Sequence, residues 1–187
     1  MPDEVLTVTR GGEAAADPGE VESLYFAAFH APPLNETRDA AAMFSRLYGE
    51  VRGRPDLITV EARHNDAVLV GFAFGHHWRW VEQQSDPWAM QLRERLDEAA
   101  AREIEDTFAV YLLAVDPAHR RAGLGRRLLR AVLDASGELR AWLITRDAET
   151  AARALYESEG WRTLGHGPNG QDGRPGLVLS WGSRSRD

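Results

Sequence analysis

The chain has 187 residues, a net charge of −7, 43% hydrophobic and 27% charged residues, an ordinary globular composition that excludes general disorder. It contains no cysteine, which rules out disulfides, a thiolate nucleophile and cysteine-ligated zinc, and no apolar run long enough to cross a bilayer. The opening MPDEVLTVTR lacks the basic-then-apolar order of a secretory signal, so the cytoplasm is the expected location and a single domain the expected organisation.

Leu6 to Arg10 predicts a short first strand, ended by Gly11-Gly12. Asp17-Pro18 opens a helix, with Asp as N-cap and Pro in the first turn. Val21, Leu24, Tyr25, Ala28 and Phe29 form its apolar stripe, and Pro32-Pro33 stops it. A second helix is expected from Thr37 to about Val51, with Ala40, Met43, Phe44 and Leu47 inward and Gly53 and Pro55 beyond its end. Leu57 to Arg63 and Ala67 to His77 read as a hairpin around His64-Asn65-Asp66. Ser85-Asp86-Pro87 is another helix start, and Trp88, Leu92, Leu96 and Ala99 predict one amphipathic helix from Pro87 to Arg102. Phe108 to Val115 is a continuous apolar run, the pattern of a strand covered on both faces. A helix from Gly123 to Ala135, a buried strand from Arg140 to Thr145 and a helix from Ala148 to Glu159 follow. That order implies a parallel strand pair with a right-handed crossover. Trp161 to Gly165 and Leu177 to Trp181 are the last strands, joined by a Gly/Pro-rich loop, and GSRSRD reads as a frayed tail. The fold class is α/β with a mixed sheet.

All 22 basic residues are arginine, and Arg120, Arg121, Arg126, Arg127 and Arg130 fall within eleven residues. Without these five, 17 positive charges face 29 negative ones. One cationic spot on an acidic body suits a specific anionic ligand and disfavours general nucleic-acid binding; a solvated basic helix face fits the same composition. The spot lies in VDPAHRRAGLGRR, Val115 to Arg127, where a buried strand ends and a helix begins near Gly123. The first amides of a helix have no internal partner, carry the positive end of its dipole and bind phosphates well. Gly123 and Gly125 omit the Cβ atoms that would hold a ligand off this backbone. Arg126 and Arg127 oppose the dipole by about 0.3–1 kcal/mol each, a placement that a bound polyanion would explain. An ordinary glycine turn with exposed arginines is the alternative. The Walker pattern fails for want of lysine, and the dinucleotide pattern fails because Leu128 stands where its third glycine is needed.

Arg120-x-x-Gly123-x-Gly125 resembles the Q/R-x-x-G-x-G/A signature of the GCN5-related N-acetyltransferases, the GNAT superfamily, in its usual setting of buried strand, V-D-P turn and helix. Asp147 to Trp161, with Leu155-Tyr156 ahead of Gly160-Trp161, resembles that family's second block, N-x-x-A-x-x-L-Y followed by a glycine and an aromatic. The resemblance is specific over Phe108 to Gly165 and architectural before it. It implies a mixed, mostly antiparallel central sheet of about seven strands with a splayed parallel pair, flanked by helices. It implies a single acetyl-CoA-dependent acyltransferase domain over residues 1–187, with the cofactor-binding core at 104–166. Acetyl-CoA is then the cosubstrate. Its pyrophosphate would lie at Arg120 and on the amides of Arg121, Ala122, Gly123, Leu124, Gly125 and Arg126. Its pantetheine arm would pair with backbone near Leu113 and Val115, where an N–H polarises the thioester carbonyl.

By the same resemblance an amine attacks directly in a ternary complex, and Tyr156 stands where the family's tyrosine protonates the departing thiolate. Ala152 and Leu155 also fit Tyr156 as a core aromatic. Two departures stand out. Glu149 replaces an asparagine that faces the pantetheine, and Ala109 and Leu112 occupy positions where some members carry an acidic base. Glu105 and Asp106 become the candidate bases, with His76 and His77 next; each also reads as an exposed polar residue. Adjacent strand residues point to opposite faces, so His76-His77 is not a metal site. Trp78, Trp80 and Trp88 flank the acceptor side, and the helix from Pro87 reads as a wall or lid; aromatics and carboxylates there suit a cationic amine. The expected function is N-acetyl transfer to a primary amine of a small molecule or peptide, with no metal, nucleic acid or membrane involved, and a homodimer is compatible with it. A non-catalytic acyl-CoA-binding or sensor module is the alternative. A nucleic-acid binder, which predicts salt-sensitive binding, ranks below both.

Overall fold

The computed structural model, which describes residues 4–11, 16–65 and 67–182, has seven strands and six α-helices among those residues. The strands are β1 (Leu6–Arg10), β2 (Ile58–His64), β3 (Val68–Trp78), β4 (Thr107–Val115), β5 (Ala141–Arg146), β6 (Arg162–Asn169) and β7 (Pro175–Trp181). The helices are α1 (Pro18–Phe29), α2 (Arg38–Val51), α3 (Pro87–Arg95), α4 (Glu98–Ile104), α5 (Leu124–Ser136) and α6 (Ala151–Ser158). The sheet order is β1-β2-β3-β4-β5-β7-β6. Antiparallel ladders join β1 to β2, β2 to β3, β5 to β7 and β6 to β7. The β4–β5 ladder is parallel and runs from Phe108↔Ala141 to Val110↔Leu143. This is the expected mixed, mostly antiparallel sheet with one parallel pair.

The chain forms two compact units, Met1–His76 with Tyr111–Gly137, and His77–Val110 with Glu138–Asp187. The first has α1 and α2 over an aromatic core. Val21, Leu24 and Tyr25 of α1 pack with Tyr48 of α2, Phe72 and Phe74 of β3, and Leu112 and Ala114 of β4. Two polar groups enter this core with partners, as buried hydroxyls must: Tyr48 donates to Ala16 O at 2.9 Å and Ser45 to Pro18 O at 2.7 Å. Asp17 N donates to Glu20 at 3.0 Å at the start of α1. Arg63 joins Glu20, at 2.7 Å, to the buried Glu61, at 3.2 Å. Helix α5 buries Leu124, Leu128, Leu129, Val132 and Leu133, and the bare Cα of Gly71 lets Leu124 and Leu128 lie close against β3.

In the second unit, Trp78 and Trp142 pack edge to face with centroids 4.8 Å apart. Gly167 and Gly176 leave room for Ile144, and Leu92 of α3 also reaches Gly167. Arg95 ties α3 to β6 through Asn169 at 2.9 Å.

Three expectations are corrected here. The helix expected over Pro87 to Arg102 is two helices. Asp97 accepts from Ala100 N at 2.7 Å and Leu96 is extended, so an N-cap inside the run restarts the helix. The restart changes the inward face: Ala100 and Ala101 are buried, Ala99 is exposed, and Trp88 lies at the surface. On α2 the buried face is Ala40, Ala41, Ser45 and Tyr48, while Met43 and Leu47 are exposed. The partnered hydroxyls of Ser45 and Tyr48 make that face tolerable, which an apolar count misses. Third, α6 starts at Ala151 because Thr150 caps it, accepting from Arg153 N at 3.1 Å. The expected tail, Gly12 and Asp66 lie partly or wholly outside the described residues.

Candidate functional site

In the first unit, β4 ends at Val115 and the chain turns sharply. Asp116 N donates back to Val70 O at 2.8 Å, and the Asp116 carboxylate accepts from Ala118 N at 2.9 Å. A single 3-10 turn over Pro117–His119 follows. Then two residues take left-handed backbone angles, Arg121 at φ +68 and Gly123 at φ +77. Glycine adopts this region freely, but an arginine there costs about 1–2 kcal/mol. Strain of this kind concentrates where a backbone is shaped for a ligand.

The first i→i−4 bond of α5 is donated by Arg127 to Gly123 O at 3.1 Å. The amides of Leu124, Gly125 and Arg126 therefore precede the helix ladder, at the positive end of the dipole. A Cβ on Gly123 would meet no protein atom within 4 Å. The glycine is thus required by its backbone angle and opens onto space that protein does not fill. Arg121, Ala122 and Gly123 are all exposed.

The arginine cluster is not one free patch. The Arg120 guanidinium donates to Ala28 O and, at 3.3 Å, to Val115 O. It braces the turn against the C-terminal end of α1. Arg127 donates to Glu4 O at 2.5 Å. These bonds keep both charges beside the turn while fixing their stems. Leu113 and Val115 are half-buried on the part of β4 that follows the three-pair ladder with β5.

His76 is buried and stacks on Tyr111 with centroids 4.6 Å apart. His77 belongs to the second unit, where its Nε2 lies 2.9 Å from Asp106 and its Nδ1 3.5 Å from Glu138. The two side chains thus take different surroundings, as adjacent strand positions dictate. Among the described residues there is no group of three or more His, Asp or Glu able to hold a metal ion.

The other proton-transfer candidates also lie in the second unit. Tyr156 is buried on α6, its ring 5.7 Å from that of Trp161. Burial pushes its phenol above the ordinary value, so it stays neutral and able to donate. Glu105 accepts from Trp80 N at 2.9 Å, at the start of a 3-10 turn over Trp80–Gln83. Asp106, at φ +58, accepts from His77 and from Arg79 at 3.2 Å. These two donors hold its carboxyl below the ordinary value. Glu149 is exposed just before Thr150.

One pair has no signal in the sequence. His166 Nε2 lies 2.7 Å from an oxygen of Asp147, and Arg153 of α6 reaches Asp147 at 3.1 Å. Nineteen residues separate the histidine from the carboxylate, and only the β5–β7–β6 arrangement brings them together.

A family model described as the acetyltransferase (GNAT) family matches residues 20–161. N-alpha-acetyltransferase RimI of Mycobacterium tuberculosis (strain ATCC 25618 / H37Rv) is 41% identical over 58 residues, covering 31% of this chain and 37% of that protein. Matches to the curated relatives span 17% to 45% of those proteins' lengths. The crystal structure of the ribosomal-protein-S18-alanine N-acetyltransferase from Escherichia coli is similar with a TM-score of 0.61 and 19% identity, covering 98% of each chain. The structure of yncA from Salmonella typhimurium with its cofactor acetyl-CoA is similar with a TM-score of 0.54 and 17% identity, covering 98% of this chain and 96% of that one. At these identities the two structures share the fold with this chain.

Proposed function

We propose that this chain, which belongs to the acetyltransferase (GNAT) family, binds acetyl-CoA and transfers its acetyl group to a primary amine of a small molecule or peptide. The whole chain is then one acyltransferase domain. The carrying observation is the turn between β4 and α5. Two left-handed residues curl the backbone, three helix amides precede the ladder, and Gly123 opens onto space free of protein atoms. That is the donor set a pyrophosphate needs. Arg120 braces the turn, and the arginine charges around it raise its affinity for a polyanion.

The remaining roles come from the resemblance to the family. The amine attacks the thioester carbon directly. Backbone N–H groups of β4 near Leu113 and Val115 hold the pantetheine and polarise the carbonyl. Tyr156, kept neutral by burial, donates its proton to the leaving thiolate. Among the relatives, the names RimI and ribosomal-protein-S18-alanine N-acetyltransferase favour a peptide N-terminus as the acceptor to try first.

The test is calorimetric titration of acetyl-CoA into the wild type and Gly123→Glu. Saturable binding that the folded variant loses supports the turn as the pyrophosphate site. Equal binding by both proteins removes the turn from the site. No binding by the wild type refutes the proposal.

A further inference from the structure

We propose that the ring of Tyr111 is a wall that selects the thioester by acyl length, admitting acetyl and excluding longer chains; this rests on the acetyl-transfer reading above. With the pyrophosphate at the turn after Val115, the rest of the cofactor runs back along β4, from Val115 past Leu113. The acyl group is the far end of the cofactor, so it lies toward Tyr111.

The exposure of β4 fits such a track. Val115, Leu113 and Tyr111 are half-buried, while Ala114 and Leu112 between them are buried. Thr107 to Val110, earlier on the strand, are all buried. The open positions of β4 therefore end at Tyr111. A strand advances about 3.3 Å per residue, so Tyr111 stands about 6.6 Å along the strand from Leu113. It is the first large side chain beyond the position given to the thioester. Phe74, His76, Tyr111, Leu113 and Val115 all belong to the first unit.

The ring is also held. It stacks on Phe74 with centroids 5.9 Å apart and planes at 8°, and on His76 at 4.6 Å and 28°. Phe74 and His76 are buried. Phe74 packs in turn on Tyr48 at 5.1 Å, and the Tyr48 hydroxyl is tied to Ala16 O at 2.9 Å. Phe26, Phe29 and Phe44 pack against the same core. A ring stacked on two buried rings in a close-packed interior does not swing aside for a longer chain. His76 then braces the wall, a role that accounts for a buried histidine on this strand without using it as a base. A bulky side chain that cannot retreat makes each added methylene costly, and one methylene in a fitted pocket is worth about 10–200-fold in discrimination.

The experiment is calorimetric titration of CoA, acetyl-CoA, butyryl-CoA and hexanoyl-CoA into the wild type, Tyr111→Phe, Tyr111→Leu and Tyr111→Ala, with thermal melts to establish folding. The wild type is expected to bind acetyl-CoA at least about 10-fold more tightly than butyryl-CoA, and hexanoyl-CoA more weakly still. Tyr111→Phe keeps the ring and its stacking and should keep that ratio. Tyr111→Leu and Tyr111→Ala should bring butyryl-CoA to within about 3-fold of acetyl-CoA, with CoA itself bound as in the wild type. Tyr111→Leu, nearer the ring in volume, carries the test if Tyr111→Ala does not fold.

Equal binding of acetyl-CoA and butyryl-CoA by the wild type overturns the wall before any variant is made, and leaves the acetyl-transfer reading standing. An unchanged ratio in folded Tyr111→Leu also overturns it. So does a variant that weakens CoA and every acyl-CoA alike, which marks a packing role. A wild type that binds none of the four overturns the acetyl-transfer reading and the wall with it.

Discussion

Gly71 sets how closely α5 lies on β3, so a single methyl group there should be felt in both stability and binding. A Cβ at this position would meet Leu128 Cδ1 at 2.8 Å, Leu124 Cδ2 at 3.2 Å and Ala62 Cβ at 3.3 Å. Carbon atoms prefer separations of about 3.5–4.0 Å, so the Leu128 methyl must retreat by roughly 1 Å. Leu124 and Leu128 are fully buried, and a close-packed interior offers little room to move. Overpacking costs about 1–3 kcal/mol, offset by about 0.5–1 kcal/mol from replacing a strand glycine with alanine. Taking the middle of each range, Gly71→Ala is therefore expected to lose about 1 kcal/mol, a fall in Tm of roughly 2–4 °C for a chain of this size. Leu124 is also the first residue of α5, so the retreat displaces amides of the signature turn, and acetyl-CoA affinity should fall too. Thermal melts with and without acetyl-CoA measure both effects. Leu128→Val removes the nearest methyl, so Gly71→Ala/Leu128→Val should be more stable than the two single losses added together. A Gly71→Ala protein that melts with the wild type, or a double variant that is merely additive, would refute this picture of the packing.

Two further outcomes follow. Tyr156→Phe keeps the ring beside Trp161 and removes only the hydroxyl. It should fold and bind acetyl-CoA normally while kcat drops about 100-fold or more; an unchanged kcat would end the acid role. Glu20 is held below its ordinary value, chiefly by the Arg63 guanidinium. A depressed folded pKa stabilises above the unfolded value, about 4.5, and that stability is lost as pH falls through the folded value. The wild type should therefore out-melt Glu20→Gln at pH 7, and the gap should narrow on acidification; a gap that does not depend on pH below the unfolded value would contradict the ion-pair origin.

Much of the fold was legible because its signals are local. The starts of α1 and α3 are set by punctuation, Asp17-Pro18 and Asp86-Pro87, whose effect needs no distant partner. The apolar run of β4 and the glycine-arginine signature mark the strand-turn-helix by residue type and spacing alone. The readings that failed depend mostly on partners remote in sequence. The face of α2 turns inward at Ser45 and Tyr48 because Pro18 O and Ala16 O wait for their hydroxyls. The Pro87 to Arg102 run breaks because the Asp97 side chain competes for the helix amides, a local signal outweighed in the sequence by apolar periodicity.

The same division holds for the site. Residue order alone marked a strand end, a glycine turn and a helix start between β4 and α5, because the need for a left-handed residue in a tight turn is written in a glycine such as Gly123. Only the tertiary structure decided which arginines brace that turn, that Arg121 joins Gly123 in the left-handed region, and that His166 faces Asp147. Those outcomes depend on which strands become neighbours, and strand neighbours are chosen by packing over the whole sheet rather than by any one segment.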